Sequence, residues 1–203
     1  MLSCKELIVE RLKAKDTTRL KKEPKTGRKR AAVLVPLFFK NDTVHVLLTV
    51  RAQHMKSFAG DVALPGGKRD ECDNDDVDTA LREAWEEIGL PKTAVQVISQ
   101  GSSRTSKYGI QVVPVIGFIP DDFQPCLNLD EVEDSFSVPL IDFLLSDKHS
   151  LQIAGRYILP KFTHNIGNRT YITWGLTAHI CINVASIVFD KKPDFHLTVV
   201  SHL

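Results

Sequence analysis

The chain has 203 residues, of which 43% are hydrophobic and 25% charged, with a formal net charge of +1. That length and apolar content are enough for one globular domain with an ample core, and they exclude a disordered chain. The near balance of charge argues against a generalised affinity for polyanions, so no nucleic-acid partner is expected.

An amphipathic helix is expected over Lys5–Lys15, with Leu7, Ile8 and Leu12 on its apolar side, followed by a basic linker from Arg19 to Arg30. Charges spread through Met1–Leu20 leave no apolar stretch of the kind a secretory signal needs, so secretion is not expected. The run Arg28-Lys29-Arg30 has no interleaved aromatic residues and reads as a solvated linker rather than a nucleic-acid patch. RAAVLVPLFF and TVHVLLTVR read as two strands joined by the turn Lys40-Asn41-Asp42, and Asp61–Leu64 as a short strand entering Pro65-Gly66-Gly67. Val77, Leu81, Ala84 and Ile88 recur at helical spacing, and Gly89 supplies a helix stop.

Beyond Pro91, strands are expected at Val95–Gln100, Ile110–Ile119 and Asp134–Val138, a short helix at Leu140–Leu145, and strands near Tyr157 and Tyr171. Leu176–Phe189 is the most apolar segment, too short to cross a bilayer core of about 30 Å as a helix, and reads as a buried helix packed on a sheet. Strands with one helix inserted after the third and another at the end suit a mixed sheet sandwiched between helices. Cys4, Cys72, Cys126 and Cys181 are widely separated, which indicates neither a disulfide framework nor a zinc site and fits a reducing setting. His54, His164 and His179 lack paired metal spacing and are expected to be structural.

The chemistry concentrates between Leu64 and Leu90. On a helix Glu83, Glu86 and Glu87 point in nearly the same direction, opposite the apolar stripe, so the three carboxylates are expected to face outward. Oxygen ligands clustered without Cys or His suit Mg²⁺ or Mn²⁺. Arg82, four residues before Glu86, is placed to orient that carboxylate, and Pro65-Gly66-Gly67 forms a loop where backbone approaches a ligand closely. A solvated acidic face would also produce a bare ExxEE, but not this flanking context.

The stretch from Gly67 to Leu90 resembles the Nudix box, written G-x5-E-x7-R-E-U-x-E-E-x-G-U, of hydrolases that cleave diphosphates linked to another moiety. Gly67, Arg82, Glu83, Glu86, Glu87, Gly89 and Leu90 match, while Ala84 is small where a bulky aliphatic residue is written. The loop is one residue longer than the pattern, so the acidic position falls on Asp73 counted from Gly67 and on Asn74 counted back from Arg82. Asp73, Asp75 and Asp76 are alternatives for it, or the position only fixes the loop, and no metal ligand is assigned among them. Upstream, LLTVRAQHMKSFAGDVALPGG is similar to the signature that precedes the box in coenzyme A diphosphatases, and a weaker similarity continues through Trp174–Ala178.

The resemblance implies a Nudix-type α/β/α sandwich with a mixed β-sheet over residues 29–200, preceded by an N-terminal helix and linker over 1–28. It implies a diphosphatase that cleaves coenzyme A, oxidised or acylated coenzyme A into adenosine 3′,5′-bisphosphate and 4′-phosphopantetheine or its acylated form. The expected metal ligands are Glu83 and Glu87, with Glu86 on a second metal or orienting the water, and Glu86 and Arg82 count as the catalytic pair. Arg51, Lys56, Gly60, Gly66, Gly67 and Arg69 are the expected substrate-binding residues, with Lys68 a further basic neighbour. Ser201-His202-Leu203 resembles the SKL address of the peroxisomal import receptor, which makes that receptor an expected partner and the peroxisome the expected location. The alternatives are a Nudix hydrolase of another dinucleotide, such as a nicotinamide cofactor or ADP-ribose, and a catalytically silent nucleotide-binding module.

Overall fold

The computed structural model describes residues 3–18, 29–55, 58–155 and 157–196. Most of the expected basic linker, Lys56 and Ser201-His202-Leu203 lie outside these residues. The central strand β1, Arg30–Lys40, runs parallel to β7, Gln111–Phe118, with Val33 opposite Pro114 and Leu37 opposite Phe118. Its other edge is shared: β4, Gly66–Lys68, pairs with residues 31–33, and β2, Thr43–Arg51, pairs with residues 37–40. β2 also pairs with β8, Val132–Pro139, and with the short β3, Val62–Ala63. β5, Gln96–Gln100, and β6, Arg104–Thr105, pair with β7 and complete an eight-stranded mixed sheet.

A proline inside a central strand needs an explanation, because it cannot donate to the ladder. The N–H of Leu34 donates to the Pro65 carbonyl in the gap between β4 and β2. Pro36, two residues on, turns its missing donor toward the same gap, where no strand asks for it. The turn between β1 and β2 carries Asn41 and Asp42 at φ 49° and 58°, the left-handed pair that a two-residue hairpin needs.

Helix α2, Asp76–Ile88, covers one face of the sheet by packing Ala80, Ala84 and Ile88 against Ala32, Leu34, Leu47 and Val115. On the other face, α1, Cys4–Ala14, and α3, Gly175–Phe189, pack against Val35, Leu37, Val46 and Leu48. This is the α/β/α sandwich expected from the sequence. Ile8 and Leu12 of α1 are buried, each such burial being worth about 2 kcal/mol, but Leu7 is exposed because it projects from the opposite side of the helix. α3 buries residues on nearly every side, since α1, the 3₁₀ segment Leu140–Leu144 and the second sheet surround it.

That second sheet is the main feature beyond the sequence reading. β9, His149–Ala154, β10, Tyr157–Ile166, and β11, Arg169–Trp174, form a separate antiparallel three-stranded unit, of which only two strands were expected. β9 escapes pattern reading because it is an edge strand whose Leu151 and Ile153 point into solvent. The helix expected at Leu140–Leu145 is a short 3₁₀ segment, too brief for a full α-helical hydrogen-bond ladder. No helix among the described residues is long and apolar enough to cross a membrane.

Candidate active site

Helix α2 is fixed at both ends by its own sequence. The Asp75 carboxylate accepts from the N–H groups of Val77 and Asp78, and Gly89 closes the helix in the left-handed region at φ 67°. One turn apart, Glu83 and Glu87 turn toward β4. The Gly66 N–H donates to Glu87 Oε2 at 3.0 Å. A Cβ on Gly66 would stand 2.4 Å from the Ala32 carbonyl oxygen, and one on Gly67 would stand 2.4 Å from the Glu83 carboxyl carbon, so this strand must be glycine to lie so close.

The three box glutamates do not all face outward. Glu86 is exposed, Glu83 is half-buried, and Glu87 is only 2% exposed. The reason is the glycine pair that opens β4: without side chains there, Gly66 and Gly67 leave room for carboxylates where a helix would otherwise need alkyl groups. The third member of the buried cluster is Glu131, and one oxygen from each of Glu83, Glu87 and Glu131 lies within 4.8 Å of the others. Glu131 is carried there by backbone, since Cys126 N–H donates to the Ile88 carbonyl, Asn128 N–H to the Glu87 carbonyl, and Ala52 N–H to the Glu131 carbonyl. Glu131 is not legible in the sequence, because no spacing ties an acid in the loop before β8 to the box.

Burial pushes Glu87 up to about 8, although the Gly66 N–H and the Arg51 guanidinium favour its charged form, and Glu83 and Glu131 add repulsion. Burial also raises Glu83, opposed by Arg82. Three partly desolvated carboxylates converging on one point form an unfavourable cluster that a hard divalent cation would relieve, so the donor set fits Mg²⁺ or Mn²⁺.

Arg82 is the hub beside this cluster. It donates to Asp73 through Nε at 2.9 Å and Nη2 at 3.0 Å, to Glu86 through Nη1 at 2.8 Å, and to the Lys68 carbonyl, and its Nη2 lies 3.0 Å from Glu83. With these contacts it holds Asp73, Glu83 and Glu86 in fixed positions. The pairing holds Asp73 far below the usual carboxylate range. Asp73, Asp75 and Asp76, left open by the lengthened loop, take three different structural parts: Asp73 braces Arg82, Asp75 caps α2, and Asp76 pairs with Arg30.

The expected substrate-binding residues separate. Arg51 reaches the cluster, with Nη1 3.7 Å from Glu87 Oε1, and its buried Nε has no partner among the described residues. Gly66 and Gly67 line the cluster. Arg69 instead donates to the Asp73 and Asn74 carbonyls and braces the box loop. Gly60, at φ 72°, stands at a different place, where its N–H donates to the Arg51 carbonyl. Phe58 and Tyr108, an exposed edge-to-face pair with Lys107 Nζ 4.5 Å from the Phe58 ring centre, were not singled out from the sequence. His54 and His164 bond the Asp130 carbonyl and the Thr173 hydroxyl, which are structural tasks.

Fold and site together define an α/β domain in which a helix brings carboxylates against a glycine pair, a donor set that fits a divalent cation. Residues 28–161 match the NUDIX domain, and the chain belongs to the Nudix family. It is 40% identical over 184 residues to "Nudix hydrolase 15, mitochondrial" of Arabidopsis thaliana, covering 87% of this chain and 65% of that protein. It is 37% identical to "Nudix hydrolase 22, chloroplastic" of the same plant, covering 82% of this chain and 58% of that one. Against the peroxisomal coenzyme A diphosphatase NUDT7 of Mus musculus it is 36% identical, covering 82% and 73%. The chain therefore spans less than two thirds of the two plant relatives. A crystal structure of a MutT/nudix family protein from Enterococcus faecalis shares the fold, with a TM-score of 0.55 at 20% identity over 86% of this chain and 69% of that one.

Proposed function

We propose that the protein is a Mg²⁺- or Mn²⁺-dependent diphosphatase that hydrolyses the pyrophosphate bridge of coenzyme A and its oxidised or acylated forms. The products would be adenosine 3′,5′-bisphosphate and 4′-phosphopantetheine or its acylated form. The observation that carries this reading is the cluster of Glu83, Glu87 and Glu131 against Gly66–Gly67, with Arg51 delivered to it by the segment resembling the coenzyme A diphosphatase signature. The mouse relative of that name supports the substrate.

Glu83, Glu87 and Glu131 would hold the cation, whose chemistry is to neutralise phosphate oxygens and lower the barrier to attack by water. Arg82 fixes Glu83 and Glu86 in place before substrate arrives, so little reorganisation remains for the reacting state. Glu86, exposed and tied to Arg82, is left to bind a second cation or to orient the attacking water. Gly66 and Gly67 let the diphosphate lie close to backbone, and Arg51, whose Nη1 reaches the cluster, offers its guanidinium to it. Lys56 belongs to the same proposed set but lies outside the described residues.

Incubation with coenzyme A and either metal in ¹⁸O-water, with a nicotinamide dinucleotide and ADP-ribose alongside, tests the reading. Labelled phosphopantetheine or bisphosphate is the expected product; cleavage of another dinucleotide alone, or of nothing, overturns it. Delivery to peroxisomes through Ser201-His202-Leu203 is proposed with it, supported by the mouse relative's name, whereas the plant relatives are named mitochondrial and chloroplastic. A fluorescent reporter ending in these three residues should enter peroxisomes, and a diffuse reporter would remove the proposal.

A further inference from the structure

A second site borders the carboxylate cluster. An open cleft of about 790 Å³ lies between the ends of β2, β3 and β8 on one side and β11 with Gln152 of β9 on the other. That size falls within the roughly 300–1,000 Å³ typical of small-molecule sites. The two places meet at Arg51: its guanidinium reaches Glu87, while its backbone N–H donates to the Asp61 carbonyl and its carbonyl accepts from the Gly60 N–H, and Gly60 and Asp61 both line the cleft. A molecule whose diphosphate sits at the cluster thus has one end within reach of this cleft.

The lining discriminates by charge. Among the described residues it carries the carboxylates of Asp61, Glu133 and Asp134 against the single guanidinium of Arg169, three negative and one positive, a formal charge of −2. Arg169 is already spent on Asp134, which also accepts from the Tyr171 hydroxyl at 2.6 Å. The Trp174 indole N–H points to Asp61 at 3.4 Å. Gln53, Gln152 and Thr170 supply uncharged donors and acceptors. Such a surface repels phosphates and acids, and it matches a neutral chain of amides and hydroxyls.

Resting on the coenzyme A reading above, we propose that this cleft receives the uncharged, amide-bearing arm of the substrate and rejects arms that end in a carboxylate. The nucleotide end, which carries its own phosphate, is kept out by the same charge. The cleft thereby fixes which way round the substrate lies across the cluster and which acyl groups are accepted.

The chain has two tryptophans, so in a Trp85→Phe background Trp174 reports on the cleft alone. Pantetheine should change Trp174 emission saturably, without metal. Pantothenate, which shares one amide with pantetheine but ends in a carboxylate, should bind about tenfold more weakly, the effect expected for one like charge at partly screened distance. Glu133→Gln and, independently, Thr170→Arg should narrow that gap. In turnover, a butyryl thioester of coenzyme A should be preferred over the succinyl one by a similar factor, shrinking as salt rises. Equal binding of pantetheine and pantothenate, no response to either, or a response to adenosine 3′,5′-bisphosphate instead would overturn the assignment. Coenzyme A cleavage by the same protein separates the two readings: cleavage without a pantetheine response defeats the cleft alone, and a pantetheine response without cleavage defeats the proposed reaction alone.

Discussion

The carboxylate cluster and the cleft beside it are built on the same strand ends, yet they are opposite kinds of surface. The cluster is partly buried and tightly tied: Glu87 is held by a backbone N–H, and Arg82 is fixed by four partners. The cleft is open and polar, formed where two sheets meet. Chemistry on a diphosphate needs groups locked before the substrate arrives, whereas accommodating a flexible arm needs space, water and replaceable hydrogen bonds. Dividing the tasks lets one part stay rigid while the other tolerates different substituents.

The sharpest way to break this contrast is at Glu87. Glu87→Gln keeps the shape and an oxygen for the Gly66 N–H, so the fold should persist while turnover falls on the order of 10³-fold. Near-normal turnover would remove Glu87 from the site. The same residue sets a pH dependence. An unfolded chain ionises it near the ordinary glutamate value of 4.5 but the folded, metal-free protein only near 8. Between those values the folded state holds the extra proton, so stability in chelator should fall as pH rises. Excess Mn²⁺ should remove that fall, and so should Glu87→Gln; thermal melts across this range check both.

Arg82→Ala comes next. It strands Asp73, whose side chain is 3% exposed, as an unpaired buried charge, and the expected loss is about 3 kcal/mol by denaturant titration. Turnover should drop as Glu83 and Glu86 lose their brace. If turnover collapsed while stability stayed within about 0.5 kcal/mol of the parent, Arg82 would be acting on the substrate rather than on its neighbours.

These two residues also show what could be read in advance. Glu83, Glu87, Arg82 and Gly89 sit at fixed spacings on one helix, and helical geometry turns spacing directly into direction. The α/β/α layering followed from apolar periodicity in the same way. Direction was not depth, however: that Glu87 turns inward depends on β4, whose glycines leave the space. The role of Asp73 stayed open because a loop one residue longer has no period to count on. Glu131 and the cleft were invisible because they are joined to the box only by backbone hydrogen bonds and strand pairing between distant segments. Arg51 and Gly60 are close in sequence and read as one binding set, yet one reaches the cluster and the other the cleft.

On the cleft side the pH response should have the opposite sign. His164 on β10 is buried between the rings of Phe136 and Phe143 and bonds Thr173 Oγ1 at 3.0 Å. Burial lowers it to about 4 from the usual 6.5, with Lys148 adding repulsion. The unfolded chain therefore binds a proton that the folded protein refuses between pH 6.5 and 4, so stability falls on acidification through that window and levels off below it. A loss of about 3 kcal/mol is expected. Burial lowers His45, His149 and His179 too, and these add in the same direction. His164→Gln should flatten part of the slope, and an unchanged slope would assign it to the other histidines.

The smallest effect is expected at Trp85, and it tests whether membership of the box or position in space decides importance. Trp85 sits between Glu83 and Glu86 in sequence, yet it is 53% exposed on the solvent side of α2. None of the contacts of Glu83, Glu87 or Arg82 passes through it. Trp85→Phe should therefore leave stability within about 0.5 kcal/mol and turnover within about twofold. A larger drop in turnover with stability intact would mean that the indole contacts the substrate, and the rigid site would then extend beyond the buried carboxylates onto the exposed face of the helix.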